Sequence, residues 1–242
     1  MMSVKDKVVI IAGASSGIGA ATAKLLAQQG AKLMLLARHQ EPLNKIRDQF
    51  PSAAILTKAV DVTDRAQVQA AVNETKEKFG RIDAMFNNAG IMPISNLADL
   101  KYDDWANTIN INVMGVLNGI YAVLPIMRAQ GRGHILSTSS VAGHKVFPGF
   151  AVYSGSKFAV RAIMEGLRQE EAANHIKSTI ITPGSATTNL YTPTTADEQA
   201  ARENANVSLR PEDVAQQVVR AIDTPDNVTV SEVQVRPIEQ QY

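Results

Sequence analysis

A tyrosine and a lysine, Tyr153 and Lys157, lie four residues apart in a segment with a helical pattern. Residues at i and i+4 are neighbours on one helix face. A free phenol has a pKa of about 10, too high for efficient proton exchange near pH 7. A neighbouring ammonium favours the phenolate, so we expect Lys157 to lower the pKa of Tyr153 and make it an acid/base group. The alternative is a half-buried tyrosine beside a solvated lysine.

Polar side chains also follow two runs that we predict to be strands. Ser140 follows the run His134–Ser139, and Asn88 follows the run Ile82–Asn87. Ligands of open α/β sheets bind at the carboxyl ends of the strands. The sequence therefore predicts one crevice that contains Asn88, Ser140, the glycine turn at residues 13–19 and Pro183-Gly184.

The glycine turn follows the buried run Val8–Ala12 and precedes a helical pattern. Its spacing is Gly-x3-Gly-x-Gly, and glycines let the backbone approach a pyrophosphate at the helix N-terminus. Glycine also ends strands for steric reasons, which is the alternative interpretation of the turn. The predicted pyrophosphate contacts are Gly13, Ser15, Ser16, Gly17, Ile18 and Gly19.

The end of the second predicted strand indicates which dinucleotide binds. A carboxylate about 20 residues past the glycines would hold the ribose 2′-hydroxyl of NAD, whereas an arginine accommodates a 2′-phosphate. The sequence has Arg38 there and no acid until Glu41. Arg38 is a planar donor that suits phosphate, although a solvated arginine is the alternative. We predict NADP(H) as the cofactor.

Composition excludes several classes of protein. The 242 residues contain 24 Lys+Arg against 23 Asp+Glu, a formal net charge of +1, so the chain has no global attraction for nucleic acid or an anionic membrane. Cysteine is absent, which removes disulfides and thiolate sites, and we predict no metal site. The apolar run Val8–Ile11 is too short for a secretory signal, and we expect no stretch of the ~20 residues that spans a membrane. We expect a cytoplasmic protein.

Strand and helix patterns alternate along the whole chain. This alternation predicts an α/β fold: a single-domain, Rossmann-type, doubly wound parallel sheet of about seven strands with helices on both faces. We expect residues 1–242 to form one domain, with an irregular segment at about 185–207 as the predicted substrate loop. The predicted strands are Val8–Ala12, Ala31–Ala37, Ile55–Val60, Ile82–Asn87, His134–Ser139, Ser178–Thr182 and Val228–Val235. The predicted helices are Ile18–Gln29, Glu41–Phe50, Asp64–Phe79, about Trp105–Gln130, Tyr153–Asn174 and Pro211–Asp223, the last capped by Ser208.

The chain resembles the short-chain dehydrogenase/reductase family over essentially its whole length. The turn matches the family turn except that Ala12 stands where threonine is usual. Ser140 precedes Tyr153 by 13 residues, the spacing of the family serine. The other matching elements are Asn87-Asn88-Ala89-Gly90, Asp61-Val62, Asn112-Val113-x-Gly115, Tyr153-x3-Lys157 and Pro183-Gly184 with Thr187 or Thr188.

This resemblance implies a role for each matching residue. Tyr153 exchanges a proton with the substrate oxygen, which Ser140 binds, and Lys157 also binds the nicotinamide ribose. Asn112 anchors a water beside the lysine, with Asn110 as a rival that lacks the downstream glycine. Asp61 and Val62 contact the adenine, Asn88, Ala89 and Gly90 line the cofactor, and Pro183, Gly184, Thr187 and Thr188 lie at the nicotinamide amide.

The resemblance also implies a branch and an assembly. The chain ends Val233-Gln234-Val235-Arg236-Pro237, without the Asp-Gly-Gly element of many relatives, and resembles NADP-dependent carbonyl reductases and serine or 3-hydroxy acid dehydrogenases. We expect reduction of ketones or keto esters, with 3-hydroxy acid dehydrogenase as the alternative and an NADP(H)-binding sensor as the non-enzyme alternative. The family implies a homotetramer. The expected substrate wall is Met92–Asn96, His144–Phe150 and residues 185–206, with His144, Phe147, Phe150 and Tyr191 shaping an apolar pocket.

Overall fold

A seven-stranded parallel sheet organises the fold in the computed structural model, which describes residues 4–188, 190 and 208–240. The strand order is β3-β2-β1-β4-β5-β6-β7, and each neighbouring pair is parallel. This order, with helices on both faces, confirms the Rossmann-type fold. The strands are β1 Val8–Ala12, β2 Lys32–Ala37, β3 Ile55–Ala59, β4 Ala84–Asn87, β5 Gly133–Thr138, β6 Ile176–Pro183 and β7 Glu232–Val235.

Within the described ranges, seven α-helices and several short helical segments connect the strands. The α-helices are α1 Gly17–Gln28, α2 Gln40–Asp48, α3 Arg65–Phe79, α4 Tyr102–Ile109, α5 Gly115–Gln130, α6 Ala151–Glu170 and α7 Pro211–Ile222. The 3-10 turns are Leu97–Asp99, Val141–Gly143 and Ala172–Asn174, and a π-helical segment spans Asn110–Met114.

The sheet is buried on both faces, which explains why the inner strands are continuously apolar. Successive side chains of a strand point to opposite faces. Ile11 therefore packs in the core with α1 and α7, whereas Ile10 packs in the core with α3, α5 and α6. The turn after β1 is consequently held between two packed layers.

The long helix that the sequence predicts from about Trp105 to Gln130 is interrupted in the structure. A π-helical segment, Asn110–Met114, joins α4 to α5. Such segments insert a residue into the helical ladder and occur often at functional sites. By length and apolar composition the stretch Tyr102–Gln130 could span a membrane, so the expectation that no such stretch exists is wrong. In this fold it contributes Val116 and Val123 to the core.

Two boundaries near the C-terminus differ from the prediction. Strand β7 begins at Glu232 rather than Val228, so only half of the alternating segment pairs with β6. Helix α7 is capped at Arg210, whose backbone amide donates to Asp213 at 3.0 Å, and not at Ser208. The Ser208 hydroxyl lies 3.0 Å from the Ser185 hydroxyl instead, because the neighbouring residues Leu209 and Ala186 form a parallel bridge just beyond β6.

Candidate active site

A cleft of about 1440 Å³ lies at the carboxyl ends of the strands. Two predicted site residues, Gly19 and Asn112, do not line it, because both are buried behind its wall. Most of the predicted loop 185–207 lies outside the described residues. The predicted site residues that line the cleft are Gly13, Ser15, Ser16, Gly17, Ile18, Arg38, Asp61, Val62, Asn88, Ala89, Gly90, Ser140, Tyr153, Lys157, Pro183, Gly184, Thr187 and Thr188.

The glycine turn is shaped for close approach. Gly13 has φ +79°, and a Cβ there would lie 2.7 Å from the Ala89 backbone, so only glycine fits. Ser16 begins helix α1 without a side-chain cap from within the described residues. The first amides of α1 therefore face the cleft with the partial positive charge that favours a phosphate. This cradle fits the pyrophosphate of a dinucleotide.

Asn88 connects the ends of three strands. Its Nδ2 donates to the Gly13 carbonyl at 3.1 Å, and its Oδ1 accepts from the Thr138 hydroxyl at 3.0 Å. The Thr138 carbonyl in turn accepts from Lys157 Nζ at 2.9 Å. Thr138 thus links the glycine turn to the lysine, a function that the sequence reasoning missed. Its place at the end of β5, two residues before Ser140, was the available signal.

Tyr153 and Lys157 lie one turn apart near the start of α6, with Lys157 Nζ 5.7 Å from the centre of the phenol ring. Burial raises the pKa of Tyr153 to about 12, and a hydrogen bond from the Ser140 hydroxyl opposes this rise. Burial lowers the pKa of Lys157 to about 8. The expectation that Lys157 lowers the pKa of Tyr153 is therefore wrong for this state, because desolvation dominates. Ser140 is the group that stabilises the phenolate.

The lowered pKa of Lys157 predicts a pH-dependent stability. The folded-state pKa of about 8 lies below the ordinary 10.5, so between these values the unfolded chain binds more protons and the free energy of unfolding rises with pH. From pH 8 to 10.5, without dinucleotide, we expect the wild type to gain on the order of 3 kcal/mol over Lys157→Met. Urea denaturation at several pH values measures this difference. If the difference in free energy of unfolding between wild type and Lys157→Met stays constant or falls over this pH range, burial does not lower the pKa of Lys157.

Asn112 is 1% exposed and braces the site from behind. Its Oδ1 accepts from the Ile91 amide at 2.9 Å, and its Nδ2 donates to the Ile91 carbonyl and to Ser156 Oγ, each at 3.0 Å. A Cβ on Gly90 would lie 3.2 Å from Asn112 Oδ1 and 3.6 Å from Lys157 Nζ. A Cβ at position 90 would therefore displace the Asn112 side chain by a few tenths of an ångström. The role of Asn112 in holding a water stays a prediction, and its rival Asn110 is exposed and lines the cleft.

The far end of the cleft carries the predicted adenosine contacts. Arg38 is exposed there and lines the cleft, so its guanidinium can reach a phosphate. Asp61 accepts from the Thr63 amide at 2.9 Å and from the Thr63 hydroxyl at 2.8 Å, which fixes its carboxylate at the cleft edge. Val62 packs beside Gly115, where a Cβ would lie 2.9 Å from Val62 Cγ2.

The wall nearest Tyr153 is apolar, but its membership differs from the prediction. Phe150 packs edge-on against both Phe147 and Tyr153, with ring centres 6.2 and 6.4 Å apart. His144 does not line the cleft, because its ring faces Glu232 on β7. Tyr191 lies outside the described residues. The apolar lining residues include Met92, Ile94, Val141, Phe147, Phe150 and Leu190.

The profile of the family described as short chain dehydrogenase matches residues 7–199. An uncharacterized oxidoreductase of Staphylococcus saprophyticus is 46% identical, with 99% of each chain covered.

Two solved structures are similar to this chain. The closed form of serine dehydrogenase complexed with NADP+ has a TM-score of 0.91 at 27% identity, covering 97% of this chain and 96% of that one. A short chain dehydrogenase/reductase from Burkholderia phymatum in complex with NAD has a TM-score of 0.87 at 30% identity, covering 97% and 90%. Of these two similar proteins, one is complexed with NADP+ and the other with NAD.

Proposed function

The chain belongs to the short-chain dehydrogenase family of oxidoreductases, and on that premise we propose that it transfers a hydride between NADP(H) and a ketone or its secondary alcohol. The strongest support for this proposal is that one cleft is lined by Ser140, Tyr153 and Lys157 together with Pro183-Gly184. A hydroxyl, an acid/base phenol and a cation then surround the place where a carbonyl oxygen would become an alkoxide. Such preorganised donors act where negative charge develops.

The proposed mechanism assigns the proton steps to this chain. NADPH, if held by the glycine turn and Arg38, would supply the hydride. Tyr153, with its pKa raised to about 12, is protonated at neutral pH and gives the proton from its Oη to the substrate oxygen. The Ser140 hydroxyl stabilises the phenolate that remains and orients the substrate oxygen. Lys157, whose pKa of about 8 leaves it mostly charged at pH 7, adds positive charge one turn away.

The apolar wall supports an uncharged substrate. Met92, Phe147 and Phe150 line the cleft and offer apolar area for a carbon skeleton. Ketones and keto esters fit this environment. A 3-hydroxy acid is the second candidate, supported by the likeness to serine dehydrogenase.

A screen of substrates with both dinucleotides tests the function. We expect NADPH oxidation with apolar ketones or keto esters, followed by absorbance of the reduced nicotinamide. Turnover of 3-hydroxy acids alone would favour the second candidate. Binding of the dinucleotide without turnover of any substrate would favour the sensor.

Arg38 tests the choice of cofactor in the same assay. Its guanidinium would pair with the 2′-phosphate, a charge-assisted contact that NAD(H) lacks. Arg38→Ala should raise the Michaelis constant for NADPH about tenfold or more, the loss of roughly 1.5–3 kcal/mol. The constant for NADH should stay nearly unchanged. Equal effects on both constants would refute NADP(H) as the preferred cofactor.

We also propose that copies of this chain associate as a homotetramer in the cytoplasm. Apolar side chains on the helical stretch Tyr102–Gln130 and on α6 face outward, which supports contact between copies. These are Tyr102, Ile109, Met114, Tyr121 and Phe158.

A further inference from the structure

A carboxylate on the last strand joins a polar cluster behind the catalytic residues. Glu232 Oε1 accepts from the Thr182 hydroxyl at 2.7 Å and from Arg161, and it lies 2.8 Å from His144 Nε2. The His144 ring also lies 2.6 Å from an Arg161 nitrogen. We call these four residues the Glu232 cluster.

The other members of the Glu232 cluster belong to the three segments that carry the proposed chemistry. Arg161 lies on α6 one turn beyond Lys157 and two turns beyond Tyr153, on the same face. His144 ends the 3-10 turn Val141–Gly143, which Ser140 begins. Thr182 directly precedes Pro183-Gly184. One carboxylate thus contacts the tyrosine helix, the serine turn and the end of β6.

The packing around the cluster leaves little freedom. A Cβ on Gly143 would lie 3.0 Å from Arg161 Cδ and 2.6 Å from Ser139 Oγ. Ser139 Oγ itself donates to the Lys157 carbonyl at 3.2 Å. The serine turn and α6 therefore touch directly, and Arg161 lies at their contact.

The Glu232 cluster favours the ionised form of the Glu232 carboxyl group. Its side chain is 28% exposed, and that of Arg161 is 24% exposed. Burial alone would raise the pKa of Glu232, but hydrogen bonds from Arg161, Thr182 and His144 bring it below its usual value. An ionised carboxylate with several donors is a strong, directional anchor.

We propose that Glu232 is a positioning residue. It holds the serine turn, the tyrosine helix and the end of β6, which leads into Pro183-Gly184, in one arrangement. This inference rests on the proposed dehydrogenase function. Catalysis is sensitive to such alignment, because a shift of about 1 Å in a reacting group can cost on the order of 100-fold in rate. Glu232 acts through Ser140 and Tyr153, and does not itself line the cleft.

Substitution of the carboxylate tests the proposal. Glu232→Ala removes the anchor, and we expect kcat to fall at least tenfold while the dissociation constant of the dinucleotide changes less than twofold. Glu232→Gln keeps one acceptor and should recover part of the loss. With deuterated NADPH, the isotope effect on kcat should rise in Glu232→Ala, because misalignment slows hydride transfer itself.

A matched control separates alignment from general stability. Glu165→Ala removes another carboxylate paired with an arginine, Arg168, on the same helix α6. It should leave kcat and the isotope effect unchanged. Because β7 is an edge strand, sedimentation of each variant checks that its assembly equals that of the wild type.

The outcomes are distinct. If the wild type turns over no substrate, the proposed function fails and the kinetic comparison does not apply. The thermal midpoint is then still measured, and an equal midpoint in Glu232→Ala and wild type overturns the anchor as well. If the wild type is active and Glu232→Ala matches it in kcat and isotope effect, the positioning role is wrong even if the thermal midpoint drops. A double variant with Arg161→Gln should be no slower than Glu232→Ala alone, because both break the same anchor.

Discussion

Replacing Tyr153 with phenylalanine is expected to abolish turnover while binding of NADPH survives. The change removes the proton donor, and proton transfer by a positioned group contributes about 10²- to 10⁴-fold in rate. The ring is 4% exposed and packs against Phe150, so phenylalanine keeps the apolar contacts. Steady-state rates with a ketone, beside NADPH affinity from fluorescence titration, measure the two effects separately.

Tyr121→Phe is the matched control for this prediction. Tyr121 is a 55% exposed tyrosine on α5, and its hydroxyl has no place in the proposed chemistry. The turnover rate of Tyr121→Phe should equal that of the wild type. Substantial turnover by Tyr153→Phe would mean that another group supplies the proton, and the mechanism proposed above would be wrong.

Replacing Gly19 with alanine is expected to have the second largest effect, a loss of dinucleotide affinity. A Cβ at position 19 would lie 2.1 Å from the Gly13 carbonyl oxygen and 2.8 Å from Asn88 Nδ2. The nearest obstacle is backbone, so the glycine turn itself must move. That movement would also disturb the hydrogen bond between Asn88 and Gly13. We expect affinity to fall on the order of 100-fold, with a lower thermal midpoint.

Gly166→Ala provides the control for a glycine inside a helix. On α6 its Cβ would lie 3.7 Å from Glu170 Oε1, an ordinary contact. Alanine is favoured over glycine in a helix by roughly 0.5–1 kcal/mol, so this variant should be as stable as the wild type or more so. Calorimetry and dinucleotide titration compare the two variants. An unchanged dissociation constant for Gly19→Ala would show that the turn tolerates the added carbon.

Hydrophobic periodicity was enough to predict the fold. A parallel sheet buried on both faces requires continuous apolar strands, and the run Val8–Ala12 has the bounds that we predicted for it. Helix α3 likewise ends where Gly80 allows a left-handed φ of +78°. Tyr153 and Lys157 could be paired from sequence because their relation is local, one turn of one helix.

Contacts between segments that are far apart in the sequence could not be predicted from local spacing. His144 looked like a wall residue because it lies between Ser140 and Phe147, yet its ring faces Glu232, 88 residues along the chain. The π-helical segment around Asn112 carries no periodicity signal, since its apolar pattern also suits an α-helix. A predicted strand from Val228 placed Glu232 in its middle, with no indication of the cluster that it anchors.

The chain by itself determined which chemical groups are present, their local spacing and the sheet that brings strand ends together, because these depend on periodicity and turn geometry. Only the tertiary structure decided their electrostatic state. Tyr153 and Lys157 were expected to act on each other, but burial shifts the pKa of the phenol to about 12 and that of the amine to about 8. Desolvation depends on which other segments of the chain pack around the two side chains, and the four-residue spacing between them does not predict that packing.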